Sequence, residues 1–117
     1  MLYATHLEVD LAAIEHNVQQ VRTLTPGARH LASRRLVDAF AVATTPEGIE
    51  LRAAGIKLPI LRLSPAFDDE LEAVVAHDLS LTVHDEATID ALADVAEHAG
   101  RCHGVHLAID TGMRRIG

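Results

Sequence analysis

The stretch AIDTGMRRIG, Ala108 to Gly117, holds the densest chemistry in the sequence. An apolar approach leads to an acid, Asp110, then a Thr111-Gly112 turn and an arginine pair, Arg114 and Arg115. Side chains alternate along a strand, so Val105, Leu107 and Ile109 share one face while His106, Ala108 and Asp110 share the other. The three aliphatics are expected to meet a helix layer, which points Asp110 at the rim of the sheet. The turn would expose backbone N–H groups and let Arg115 fold back over the strand ends. Its fixed fork of donors suits a carboxylate, a phosphate or a phenolate oxygen. A plain ion pair between Asp110 and Arg115 across the turn accounts for the same residues, since rim pairs of this kind are common.

Other chemistries find less support. Of the eight histidines, His103 and His106 lie three apart, a spacing that sends them to opposite faces of an extended strand. The others are scattered, with no carboxylate at ligand spacing in a shared element, so no metal site is expected. The run after Ala39–Ala43 is Thr-Thr-Pro-Glu-Gly and not a glycine-rich phosphate loop. Ser33 and Ser64 lie near no patterned base, and the Gly-x-Ser-x-Gly elbow is absent. Cys102 is the single cysteine and receives no role.

The bulk properties narrow the classes further. Seventeen acids against ten basic residues give a net charge of −7, and no Lys/Arg run exceeds a pair, which argues against nucleic acid or an anionic membrane as partner. No apolar stretch is long enough to span a bilayer, and MLYATHLEVD lacks the layout of a signal peptide, so a cytoplasmic protein is expected. Aromatics make up 3% against 49% hydrophobic residues in all, so the core must be Ala, Val, Leu and Ile. With 117 residues and no Gly/Ser/Pro-rich linker, a single domain over residues 1–117 is expected.

The elements that would position the rim follow from periodicity. Leu11, Ile14, Val18, Val21 and Leu24 recur at helical spacing, with Asp10 as cap and Pro26-Gly27 as stop. Ala39–Ala43 reads as a strand, and Thr45-Pro46-Glu47 starts a helix that Gly55 ends. Leu58–Leu63 and Leu79–Val83 are strands, Asp68–His77 and Asp85–Gly100 helices, and Val105–Ile109 a fourth strand. This order predicts an α/β fold with parallel strands, either an open doubly wound sheet or part of a (β/α) barrel. In both, sites gather where strand C-termini meet the following loops: Thr44-Thr45, Ser64-Pro65, His84-Asp85 and Asp110–Gly117.

Four stretches, in order, resemble the first half of alanine racemase: THLEVDLAAIEHNVQQVRTLTPGAR, DAFAVATTPEGIELRAAGIKLPILRLSP, LEAVVAHDLSLTVHDEATIDALA and VHLAIDTGMRRIG. The most specific pieces are FAVATxxEGxELRxAGI, LTVH and the closing DTGMxRxG. The resemblance implies a partial TIM-type barrel, the fold class adopted for this chain, and pyridoxal 5′-phosphate as cofactor. It implies alanine as substrate, interconverted between L and D forms for peptidoglycan synthesis, and a homodimeric enzyme with a second, β-rich domain. It also implies that Arg115 matches the arginine that hydrogen-bonds the pyridoxal phenolic oxygen.

The same resemblance exposes a gap. The family's lysine, which holds the cofactor as an imine and moves the α-proton, ends the first barrel strand in a stretch like VVKAxAYGHG. Between Gly27-Ala28-Arg29 and Asp38-Ala39-Phe40 this sequence has only HLASRRLV, in which Arg34-Arg35 reads as the tail of a deleted helix. The one lysine is Lys57, in the turn before a strand. Ala108 stands where many family members carry a second lysine, and Arg114 departs from the usual Gly or Asn. The sequence therefore reads as a shortened racemase product that lacks an internal segment and the family's elements beyond the fourth strand. No catalytic residue is assigned, loss of turnover is expected, and cofactor binding lacks its covalent anchor. The alternative is a noncatalytic remnant that self-associates or binds a partner through its two open sheet edges, near Phe40 and Leu107, and its uncovered interior face.

Overall fold

The computed structural model describes residues 9–27 and 37–114. The elements are α1 (Leu11–Leu24), β1 (Phe40–Val42), α2 (Thr45–Ala53), β2 (Ile60–Arg62), a 3₁₀ turn (Asp68–Glu70) running into α3 (Leu71–Ala76), β3 (Ser80–Val83), α4 (Glu86–His98) and β4 (Val105–Leu107). The four strands form one parallel sheet in the order β1-β2-β3-β4. A doubly wound sheet reverses its strand order at a switch point. Here each strand is added beside the last, as along the arc of a barrel.

Register sorts the side chains into two layers. Phe40 pairs with Ile60 and Val42 with Arg62, while Arg62 pairs with Leu81. These residues and Val83 face α2, α3 and α4 and, with Leu71, Val74, Val75, Leu79 and Leu92, form the core. It is built from aliphatic groups with one ring, Phe40, as the composition predicts. The opposite face carries Ala41, Leu61, Ser80 and Thr82, all half-buried, the face that points inward in a barrel.

Local signals set the helix starts. Asp10 accepts hydrogen bonds from the Ala12 and Ala13 N–H groups at the head of α1. Glu47 in the first turn of α2 reaches back to the Ala43 and Thr44 N–H groups at 2.8 and 3.2 Å. Asp85 Oδ1 takes the Thr88 N–H at 2.8 Å and so starts α4. Gly48 lets α2 lie close to the sheet, since a Cβ there would stand 2.7 Å from Leu79 Cδ1.

The opposite end of the strands is tied by Arg52 of α2. Its guanidinium donates to four carbonyls, His77 and Ile56 at 2.9 Å, and Leu58 and Asp78 at 2.7 Å. These bonds fix the turn before β2 to the turn before β3.

At β4 the structure departs from the sequence expectation. Val105 and Leu107 align with Leu81 and Val83, which puts them on the helix side. Yet both are exposed, as is Ile109, because among the described residues no helix follows β4 to cover them.

Candidate functional site at the strand C-termini

Thr44-Thr45, Ser64-Pro65, His84-Asp85 and residues 110–114 of the last loop follow the C-terminal ends of the four parallel strands. Bonding from Leu63 N–H to the Val42 carbonyl and from Ala108 N–H to the Val83 carbonyl carries the ladder past the ends of the strands. Three groups of polar side chains stand there.

The first was not recognised in the sequence. Arg62, at the end of β2, is 4% exposed, and its Nη2 stands 3.0 Å from Glu70 Oε2. Glu70 also accepts the Phe67 N–H at 2.9 Å. That N–H is the main influence on the carboxyl and lowers its pKa below the ordinary 4.5. Partial burial opposes the shift, and the Thr45 hydroxyl and the Arg62 guanidinium add to it. Arg62 Nε and Nη1 are buried without a hydrogen-bond partner. The guanidinium points into the helix layer and away from the barrel interior, so it serves the packing of the 3₁₀ turn and does not present a ligand fork.

The second group is His84-Asp85. His84 Nε2 lies 3.2 Å from Asp85 Oδ2, and the same oxygen accepts the Thr88 hydroxyl at 3.0 Å. The Thr88 N–H and then its hydroxyl lower the Asp85 pKa below the ordinary 3.8, with His84 a smaller cause. This carboxylate is engaged as a helix cap.

The third group is Asp110. Its Oδ1 accepts the Gly112 N–H at 2.8 Å, closing an Asx turn that ends at Gly112, with φ +138°; Arg114, two residues beyond it, has φ +54°. Arg115, the residue assigned to cofactor binding, lies outside the described residues, as do positions 28–36, which hold Arg34 and Arg35.

The remaining candidates are dispersed. His103 Nε2 bonds the Leu79 carbonyl, and His77 and His98 each engage a carbonyl of their own helix through Nδ1. No group of three potential metal ligands occurs among the described residues. Cys102 is an exposed free thiol. Among the described residues no helix is long and apolar enough to cross a membrane.

The fit to an aldehyde cofactor can be tested on Lys57. It lies exposed between α2 and β2, at the N-terminal end of the strand and therefore opposite the rim. The sequence contains no other lysine. The residues present do not supply the side-chain amine that a rim-bound aldehyde cofactor would need.

Residues 26–117 match the family model described as "Alanine racemase, N-terminal domain". The chain is 36% identical to alanine racemase of Cutibacterium acnes, over 97% of this chain and 35% of that protein, and 38% identical to the catabolic alanine racemase of Pseudomonas aeruginosa, over 93% and 35%. The first alignment runs over 132 positions against a 117-residue chain, so the relative has positions without a counterpart here. Among solved structures, an alanine racemase of Clostridium difficile 630 superposes with a TM-score of 0.85 at 31% identity, covering 92% of this chain and 33% of that one. The E. faecalis alanine racemase gives 0.83 at 31%, covering 93% and 35%. The strand order, the rim and these matches agree: the chain belongs to the alanine racemase family, corresponds to an arc of its N-terminal TIM barrel, and spans about a third of the length of the relatives it matches.

Proposed function

We propose that this chain is a noncatalytic arc of the alanine racemase barrel, which keeps the framework of the fold and does not by itself interconvert L- and D-alanine. The observation that carries this reading is the position of Lys57. An imine-forming amine has to stand at the strand C-termini, among the groups that would hold the rest of the cofactor, and the chain's one lysine lies at the other end of the sheet. The gapped alignment supports the same reading from a different side.

In this proposal residues 1–117 form one partial-barrel domain in the cytoplasm. Arg115 matches in sequence the family's arginine toward the pyridoxal phenolic oxygen, without a covalent anchor to complement it. Pyridoxal 5′-phosphate, alanine and peptidoglycan synthesis belong to the whole family enzyme. Self-association requires none of the missing groups and is consistent with the loss of turnover.

The test is to add pyridoxal phosphate to the purified chain, reduce with borohydride, and locate adducts by mass spectrometry, alongside an alanine racemisation assay. Sparse labelling of accessible amines is expected, with turnover no faster than free cofactor in buffer. A stoichiometric adduct at a single residue, or racemisation well above that background, would refute the proposal.

A further inference from the structure

In the helix layer, α3 and the last turns of α4 border an open groove of about 540 Å3. Its floor is aliphatic, with Val75 and Ala76 from α3 and Val95 and Ala99 from the end of α4. Glu72 stands one turn before Ala76 and Asp94 one turn before His98, so each helix brings a carboxylate to the face that carries the floor. Neither carboxylate has an ion-pair partner among the described residues. His98 adds a third acceptor. Its Nδ1 is 2.6 Å from the Asp94 carbonyl, which can only accept, so Nδ1 carries the hydrogen and Nε2 of the neutral ring presents a lone pair. No Lys or Arg lines the groove; Arg101, which follows α4, is committed to the Val75 carbonyl at 3.0 Å. Both helices run back against the parallel strands, so their C-terminal ends, with partial negative charge, point the same way beside the groove.

We propose that this groove binds a linear aliphatic diamine, its methylene chain on the aliphatic floor and its two ammonium groups on Glu72 and Asp94, with His98 Nε2 accepting a further N–H. A rim made only of acceptors, two of them charged, repels anions and selects a dication. Glu72 to Ala76 and Asp94 to His98 each rise about 6 Å along their helix, a length that about four or five methylene groups cover. Size disfavours a docked protein, since a standard interface takes about 800 Å2 per partner and the groove is about one helical turn long. Each exposed carboxylate alone holds an ammonium group weakly, so affinity comes from pairing both ends while the chain between them leaves water.

The site depends neither on turnover of alanine nor on a cofactor, and its test reads binding alone. The probe is 1,4-diaminobutane, titrated into the purified chain at low salt and followed by calorimetry and amide NMR. Saturable binding of one diamine per chain is expected, with shifts confined to α3 and α4. Glu72→Gln and Asp94→Asn should each weaken binding about three- to fivefold. Ala76→Leu, which fills the floor and leaves every charge in place, should abolish it. All three positions are exposed, so circular dichroism should be retained. Butylamine, with one ammonium group on the same chain length, should bind at least about threefold more weakly than the diamine. No saturable binding, binding that survives Ala76→Leu, indifference to both carboxylate variants, or equal affinity for butylamine would overturn the proposal. Survival in Ala76→Leu would assign the effect to counterion attraction over the acidic surface, and equal affinity for the monoamine to a site for a single ammonium group, such as a partner's lysine.

Discussion

Arg62 of β2 and Glu70 of the following 3₁₀ turn form a largely buried ion pair, with Nη2 3.0 Å from Oε2. The guanidinium has two further nitrogens with no partner, so the carboxylate is its principal compensation for leaving water. Removing one member of such a pair typically costs about 3–5 kcal/mol, because the other charge stays buried alone. Glu70 is 23% exposed, which permits some relief by solvent and places the expected loss for Glu70→Gln at the lower end, about 3 kcal/mol. Replacing both residues, as Arg62→Met with Glu70→Gln, should recover most of that loss. Urea unfolding of the two variants checks this, and a double variant no more stable than Glu70→Gln would contradict it.

The same carboxylate bears on acid stability. Glu70 and Asp85 both have pKa values lowered in the folded chain from 4.5 and 3.8, Glu70 chiefly by the Phe67 N–H and Asp85 chiefly by the Thr88 N–H. A lowered folded value means that the unfolded chain binds protons first as pH falls. The stability these groups contribute is complete above their unfolded values and disappears as pH drops through their folded ones. The unfolding midpoint should therefore hold from neutrality to about pH 5 and fall below it. Asp85→Asn with Glu70→Gln should start lower and decline less steeply, as a thermal melt series against pH would show.

Most of the fold could be read in the sequence because its signals are local. Helical spacing from Leu11 to Leu24, the Thr-Pro-Glu start of α2, and short aliphatic runs ended by Ser64-Pro65 and His84-Asp85 each encode an element within a few residues. The parallel arrangement then follows from βα alternation. Burial did not follow in the same way. Val105 and Leu107 have the pattern of core residues, but whether a helix covers them depends on the neighbours of β4, which no local pattern specifies. Arg62 was hidden for the converse reason. One charged residue inside ILRLSP does not disturb an apolar run, and its partner eight positions on belongs to another element. The missing lysine was legible because it is a matter of composition: Lys57 is the only one.

Two aspartates with the same capping role should behave differently. Asp10 caps α1, which meets the core through Val18, while Asp85 caps α4, which buries Leu92 and Ala96. Loss of an N-cap costs about 1 kcal/mol of helix stability. For Asp85→Ala that loss should appear in the global unfolding midpoint, because α4 and the sheet unfold together. For Asp10→Ala it should appear as reduced helical circular dichroism and faster amide exchange over residues 11–24, with the sheet midpoint nearly unchanged. Equal shifts of the midpoint in both variants would mean that α1 is as strongly coupled to the core as α4.

Arg52 should be the most sensitive polar position at the N-terminal end of the strands. Its four hydrogen bonds converge on backbone carbonyls of two different turns, and the carbonyls of His77 and Asp78 belong to the turn in which Asp78 adopts φ +54°. A left-handed backbone at a non-glycine residue persists only where its surroundings hold it, so the guanidinium offsets local strain as well as satisfying acceptors. Arg52→Ala should cost about 2–4 kcal/mol, less than four separate charged hydrogen bonds, because water replaces the donor at the more exposed carbonyls. Arg52→Lys should recover little, since a single ammonium cannot span both turns in the way a planar fork does. Asp78→Gly added to Arg52→Ala should restore part of the loss by relieving the left-handed residue, and chemical denaturation of the three variants reads the effect. If Asp78→Gly stabilises the parent and the Arg52→Ala chain equally, the arginine satisfies acceptors without restraining the turn.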